Sequence, residues 1–308
     1  MTSTPTILIK RKQGMHSKFE VRLPGPLDIS ASVEWFRRWG DDLIDRWDGR
    51  VLTRTTQVAE KAVPFTCTVA GTLDEPALKV TVRHPDHAPA VELVVRSMFV
   101  SAPGALGKLA AADPVIARLE TCYRGVRPVL QVDLLTALVR SISAQQVNLR
   151  WAAITRRRLA HAFGRQHTLG KHQVFSLEAD RIAAASVNEL RALQFTTRKA
   201  EYLISLAAEV ADGTLDLAAL RDQPDAEVIA RLTACRGIGR WTAEWFLARA
   251  LGRPRVTAGD LGVRKAVGAA YLQGRMPSEA EVRELTAHWG DAAGVAQQLL
   301  LHALSADV

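Results

Sequence analysis

The chain has 308 residues, 48% hydrophobic and 23% charged, long enough for two separate cores and free of low-complexity tracts. Lys and Arg outnumber Asp and Glu by 40 to 32, a net charge of +8; this suits a polyanion such as nucleic acid and equally an ordinary soluble surface. Three scattered cysteines in apolar contexts, Cys67, Cys122 and Cys235, exclude a disulfide framework and a Cys-ligated iron–sulfur cluster and read as reduced core residues. No stretch approaches the roughly 20 apolar residues that span a bilayer, and the apolar run within MTSTPTILIKRK is too short for a signal peptide. The expectation is a cytoplasmic monomer with no membrane partner.

The first third reads as strands. Thr6 to Lys10, Phe19 to Leu23, Val51 to Gln57, Phe65 to Ala70, Leu78 to Val82 and Val91 to Val95 are short, rich in β-branched residues and punctuated by Gly, Pro and Asp. Between the second and third, Ser32 to Trp47 has Val33, Phe36, Leu43, Ile44 and Trp47 near helical spacing. His84 to His87, HPDH, reads as an exposed turn and not as a metal site, because Pro and Asp are turn residues.

After Lys108 nearly every segment has a 3.6-residue period. Helices are expected over Asp113 to Tyr123, Leu130 to Val147, Leu149 to Phe163, Val187 to Ala192, Thr197 to Asp212, Asp225 to Ala234, Gly239 to Leu251, Asp260 to Tyr271 and Ser278 to Ala303. Gly164, Gly213, Gly252 and Gly274 fall where helices should stop. The fold class is therefore α+β: an antiparallel-sheet domain over 1–112, then an all-α domain over 113–308 whose two helical halves form a cleft.

One stretch carries most of the chemistry, LTACRGIGRWTAEWFLARALGRPRVTAGDLGVRK from Leu232 to Lys265. In Gly237-Ile238-Gly239 the glycines permit positive φ and close backbone approach. The helix beginning near Arg240 presents free N–H groups and its dipole to the turn, an anion site suited to a DNA phosphate. The same turn could be a plain helix–helix connection. Asp260 could simply cap the helix starting at Leu261, and a carboxylate so held could also stabilise a developing sugar cation or orient a water.

Turn, spacing and acid together resemble the helix-hairpin-helix DNA glycosylase superfamily, and within it 3-methyladenine DNA glycosylase II. LVRSISAQQVNLRWAA, from Leu138 to Ala153, resembles that family's helix with a Gln-Gln pair, and FTTRKAEYLISLA, from Phe195 to Ala207, its Arg-Lys-Ala-x-Tyr-Leu segment. The resemblance implies a catalytic role for Asp260, a base pocket at Gln145, Trp241, Trp245 and Leu261, and a wedge, Gln146, that fills the gap left by a flipped base. It also implies phosphate contacts at Gly237, Ile238, Gly239 and Arg240. No cofactor is required, although the motif suggests a monovalent cation, Na+ or K+, on the backbone carbonyls of Thr233, Cys235 and Ile238. Arg156-Arg157-Arg158 could touch phosphate or form a solvated helix face.

Members of the superfamily that also cleave the DNA backbone carry a lysine nucleophile where this chain has Trp241. The resemblance therefore implies a monofunctional hydrolase, acting on alkylated purines in duplex DNA and leaving an abasic site for base excision repair. The alternatives are a non-catalytic DNA-binding module and a glycosylase for deaminated or oxidised bases. The chain departs from the family at Ala292, where an aromatic is usual, at Leu261 and at Asn148, which suggests a roomier pocket.

Overall fold

The computed structural model describes residues 16–59 and 61–306; the strand expected at Thr6 to Lys10 lies outside them. The chain runs β1 (Ser17–Arg22), α1 (Ile29–Val33), α2 (Trp35–Arg38), β2 (Arg46–Trp47), β3 (Val51–Val58), β4 (Lys61–Gly71), β5 (Pro76–Val82), α3 (Ala88–Ser97), α4 (Pro103–Ala112) and α5 (Pro114–Cys122). It continues through α6 (Leu134–Ala144), α7 (Leu149–Phe163), β6 (Gly164–Leu169), β7 (His172–Leu177), α8 (Ala179–Ala183), α9 (Val187–Ala192), α10 (Thr197–Ala211) and α11 (Asp225–Ala234). Last come α12 (Arg240–Arg249), α13 (Leu261–Tyr271), α14 (Glu279–Leu285) and α15 (Ala293–Ala306).

The five-stranded antiparallel sheet has the order β1-β5-β4-β3-β2. Alternation sends Phe65 and Cys67 of β4, and Leu78, Val80 and Val82 of β5, into one core with Val91, Val95 and Met98. Two further cores are helical. One joins α6, α7, α10 and α12; the other joins α4, α5, α13 and α15. No helix among the described residues is long and apolar enough to cross a membrane.

The α+β class stands, with local corrections. Ser32 to Trp47 is not one helix: Gly40 and Leu43 take φ of 115° and 70°, and Arg46–Trp47 pairs with β3 as an edge strand. Val91 to Val95 lies inside helix α3, where Val91 and Val95 stand four apart on the buried face. HPDH forms a short 3-10 turn leading into α3. Cys67 and Cys235 are buried and Cys122 is exposed. Leu106 and Leu109 of α4 precede residue 113, yet they pack with Val263 and Leu299 in the second helical core.

The stretch 164–177, unassigned from sequence, interrupts the helices with a hairpin turned at Gly170, whose φ of 61° suits a two-residue turn. It reaches back to the sheet. The Phe175 N–H donates to the Leu43 carbonyl at 2.8 Å, Arg46 Nη1 donates to the Gln173 carbonyl at 2.6 Å, and Arg83 donates to that of Thr168.

A second tie is electrostatic and buried. Arg140 of α6 pairs with Asp42 at 2.6 Å and Asp45 at 2.9 Å, Arg156 of α7 with Asp42 at 2.9 Å, and Arg54 of β3 with Asp45 at 2.6 Å. Burial pushes the Asp42 carboxyl up, but the Arg140 and Arg156 guanidiniums bring it net below the usual aspartate range. Arg156 is thus neither a phosphate contact nor part of a solvated face.

Candidate active site

The α11–turn–α12 unit is set by its glycines. Gly237 has φ of 85°, and a Cβ there would lie 2.2 Å from the Tyr202 ring, so only glycine fits. Gly239 differs: its φ is −94° and a Cβ would meet nothing within 4 Å, so its openness faces outward. Gly239 is the N-cap of α12 and offers no capping side chain, which leaves the first N–H groups of the helix available to an anion. Leu232, Ile238, Thr242 and Ala243 are buried behind the turn.

Two neighbouring segments brace it. Gln145 Nε2 donates to the Gly237 carbonyl at 3.0 Å, so Gln145 is a strut of the turn. Gln146, exposed and at φ 55°, stands at the bend between α6 and α7, and Asn148 caps α7 by accepting the Trp151 N–H at 2.8 Å. Asparagine is a strong cap, which accounts for Asn148. From α10, Lys199 Nζ donates to the Ser143 carbonyl at 2.9 Å while Arg156 Nη1 donates to Ser143 Oγ at 2.9 Å. The Gln-Gln bend is therefore held from below by the same arginine that enters the buried charge network.

Asp260 is held on three sides. Its N–H donates to the Thr257 carbonyl at 2.9 Å, its Oδ1 accepts the Val263 N–H at 3.0 Å as N-cap of α13, and its Oδ2 accepts Trp241 Nε1 at 3.2 Å. Thr257 is fixed in turn by Gln297, whose Oε1 takes both its N–H and its hydroxyl. At Gly262 a Cβ would stand 3.0 Å from Asp260 Oδ1 and 3.5 Å from Leu301, so glycine leaves the carboxylate its space. Asp260 is half-buried and meets no cation within ion-pair distance among the described residues, an arrangement that keeps a negative charge usable.

The other expected residues divide. Trp241 is half-buried and touches Asp260 through its indole N–H. Trp245, one turn on, packs against the core joining α6, α7, α10 and α12, so its wall serves the core first. Leu261 is 57% exposed beside Asp260. Arg240 is exposed, but its Nε is tied to the buried Glu244 at 3.0 Å, which also receives Arg283 at 2.9 Å. Ala292 is wholly buried in the core joining α4, α5, α13 and α15. Three groups escaped sequence reasoning: Gln297, Gln298 and Arg249. Arg249 lies eight residues after Trp241 on one helix face, a spacing that could have drawn attention to it.

The comparisons agree with this architecture. Residues 139–291 match the HhH-GPD superfamily of base excision DNA repair proteins. A protein of Bacillus subtilis (strain 168) named DNA-3-methyladenine glycosylase is 29% identical over 185 residues, 59% of this chain and 61% of that one. DNA-3-methyladenine glycosylase 2 of Escherichia coli (strain K12) is 35% identical over 146 residues, 47% of this chain and 48% of that one. The chain thus spans about half to three fifths of the length of these curated relatives. Among solved structures, the 3-methyladenine DNA-glycosylase from Archaeoglobus fulgidus superposes with a TM-score of 0.81 at 23% identity, covering 94% of this chain and 98% of that one. An 8-oxoguanine glycosylase/lyase of Clostridium acetobutylicum bound to double-stranded DNA gives 0.69 at 16% identity, covering 89% and 92%. At these identities both show the fold alone.

Proposed function

Since residues 139–291 make this chain a member of the HhH-GPD superfamily of base excision DNA repair proteins, we propose that it is a monofunctional DNA glycosylase. It hydrolyses the N-glycosidic bond of alkylated purines, of the 3-methyladenine kind, in duplex DNA. The observation that carries this reading is Asp260, capped into α13 by one oxygen and steadied by the Trp241 indole through the other. The names of the curated relatives support the substrate class.

In this mechanism the Gly237–Gly239 turn grips a phosphate on backbone N–H groups, and Gln146 enters the stack as the damaged nucleotide swings out, a step that costs less for damaged bases. The purine lies against Trp241, whose π face favours a cationic ring. As the C1′–N bond lengthens, the Asp260 carboxylate stabilises the positive charge on the sugar and orients the water that completes hydrolysis. No amine stands where the lyase branch of the superfamily places its nucleophile; Trp241 occupies that position, which supports a water-driven reaction. The protein acts as a monomer.

The carbonyls of Thr233 and Ile238 accept no backbone hydrogen bond among the described contacts, and that of Cys235 accepts only the Ile238 N–H at 3.2 Å. Such neutral oxygens fit a monovalent cation better than a transition metal. When bound there, the ion would add positive charge beside the gripped phosphate.

Asp260→Asn tests the reading. Asparagine still caps a helix, so the variant should fold and bind abasic-site DNA, while base release from alkylated DNA falls by about 10²–10³-fold, the usual cost of losing one preorganised electrostatic group. Unchanged release sinks the proposal. Retained binding without base release in the unmodified protein favours the non-catalytic DNA-binding alternative.

A further inference from the structure

Four helices meet on one short turn, Thr257 to Asp260. The Asp260 N–H donates to the Thr257 carbonyl at 2.9 Å, which closes a β-turn with Ala258 and Gly259 at its centre. Ala258 is wholly buried in the core joining α4, α5, α13 and α15. A Cβ on Gly259 would lie 3.7 Å from Trp241 Cβ of α12 and 3.3 Å from Glu279 Oε2 of α14, so the turn has close neighbours on that side as well. From α15, Gln297 Oε1 accepts the Thr257 N–H at 2.7 Å and its hydroxyl at 3.0 Å. Every polar group of Thr257 is thereby used, and the residue is buried.

Gln297 is out of keeping with its helix. The other buried residues of α15 are Ala293, Val295, Ala296, Leu299 and Leu300, and Gln297, 2% exposed, is the one polar side chain among them. A buried amide on an apolar face costs free energy unless hydrogen bonds offset it. Here they do so at one end only: Oε1 takes two, while Nε2 donates to no group among the described residues. Leucine or methionine would fill the same space without that cost, and a local rule broken in a core points to function or strain. What the amide does is hold the turn that carries the acid. The cap bond from the Val263 N–H ties Asp260 to α13 alone; Gln297 adds a second anchor on α15.

We propose that Gln297 is a positioning residue for base release: from α15 it suspends the Thr257 turn so that the Asp260 carboxylate faces C1′ of the flipped nucleotide. The assignment rests on the glycosylase reading above. In it Gln297 touches neither the DNA nor the departing base and acts only through Thr257. A neutral amide oxygen suits this task, because it accepts two hydrogen bonds without setting a second negative charge beside the acid, as a glutamate would. Electrostatic stabilisation of the sugar cation is preorganised and fails when the carboxylate drifts; a displacement of about 1 Å can cost about 10²-fold in rate. The grip on DNA lies elsewhere, in the Gly237–Gly239 turn, so rate and binding separate when Gln297 is changed.

The experiment measures single-turnover release of 7-methylguanine and, separately, the Kd for an abasic-site duplex. It uses the unmodified protein, Gln297→Met, Thr257→Val and the double variant. Methionine keeps the volume and removes the acceptor; valine keeps the shape and removes the hydroxyl. Expected in Gln297→Met is release slower by about tenfold or more, with Kd within about twofold of the unmodified protein. Thr257→Val should slow release by about threefold, and the double variant no further than Gln297→Met, because both single changes break the same link. An unchanged rate in Gln297→Met overturns the assignment. So does a loss of rate matched by an equal loss of binding, which makes Gln297 a structural residue of the core. If Gln297→Met does not fold, Thr257→Val decides alone: slower release at unchanged Kd supports the assignment, and an unchanged rate overturns it. An unmodified protein that releases no base from alkylated DNA sinks the glycosylase reading, and this assignment with it, before any variant is compared.

Discussion

Two of the molecule's groups of charges are built on opposite terms. In the buried network Asp42 and Asp45 each face two arginines, and every carboxylate is within 2.9 Å of a guanidinium. At the candidate site, Asp260 has an indole and a backbone N–H for company, and Arg249, at the end of α12, has an amide oxygen. In the first set every charge has an opposite partner, and the set fastens the sheet to the helices. The second has no opposite charge within ion-pair distance among the described residues, which under the glycosylase reading proposed above leaves its fields free to act on a bound nucleotide. The same residue types carry structure when paired and chemistry when not.

That contrast can be broken most sharply at Asp42. Asp42→Asn leaves Arg140 and Arg156 short of a partner in the interior and should cost about 3–5 kcal/mol of stability, read as a shifted denaturant midpoint. Asp260→Asn, in the cleft, should cost less than about 1 kcal/mol, because the cap survives. Equal losses would erase the distinction between the two groups.

The hairpin glycines offer the next test. Gly237→Ala puts a Cβ into the Tyr202 ring at positive φ and should destabilise by about 2–3 kcal/mol. Gly239→Ala should leave the melting temperature alone and weaken binding to abasic-site DNA about tenfold, measured by fluorescence anisotropy. Smaller still is Trp241→Phe, which keeps a ring and removes the indole N–H from Asp260. Single-turnover base release should slow by about tenfold or somewhat more, since a hydrogen bond to a charged group is worth about 1.5–3 kcal/mol and about 1.4 kcal/mol is tenfold in rate.

Acid gives the gentlest probe. The Asp42 carboxyl is held below its unfolded value, so the stability it contributes is complete above about pH 4 and is lost as pH falls through the lowered folded value. The gap between the unmodified protein and Asp42→Asn should therefore be constant from pH 7 to about 5 and narrow below 4. A gap that narrows on the alkaline side instead would show that Asp42 is not the charged partner in the network.

Local signals made much of this legible in the sequence. Asp113, Ser186, Thr196, Asp260 and Ser278 stand at or beside the expected helix starts and do cap them, whereas the helix expected from Leu130 begins at Leu134 behind the cap Asp133; β4 and β5 alternate as sheet strands facing a core should. What escaped depends on distant partners. Arg156 reads as one of three solvated arginines until Asp42, 114 residues away, buries it. Strand 172–177 forms by pairing with 164–169 and is tied on to the sheet region where the Phe175 N–H meets the Leu43 carbonyl, a partner more than 120 residues away. At the site, Asp260 was legible as a helix start and the glycines as a turn, while their chemical roles came only from the resemblance. Arg249 was passed over, because an arginine at a helix end looks like an ordinary dipole partner, and its partner Gln298 lies 49 residues away.

The hairpin 164–177 has one more consequence. It belongs to the helical stretch of the chain, yet its backbone is stitched to Leu43, Arg46 and Arg83 of the sheet region. A single covalent connection near residue 100 is thus redundant with a non-covalent one formed 70 residues later. If the polypeptide were split near residue 100 and expressed as two fragments, they should find each other and co-purify as a working pair, with the hairpin acting as a latch.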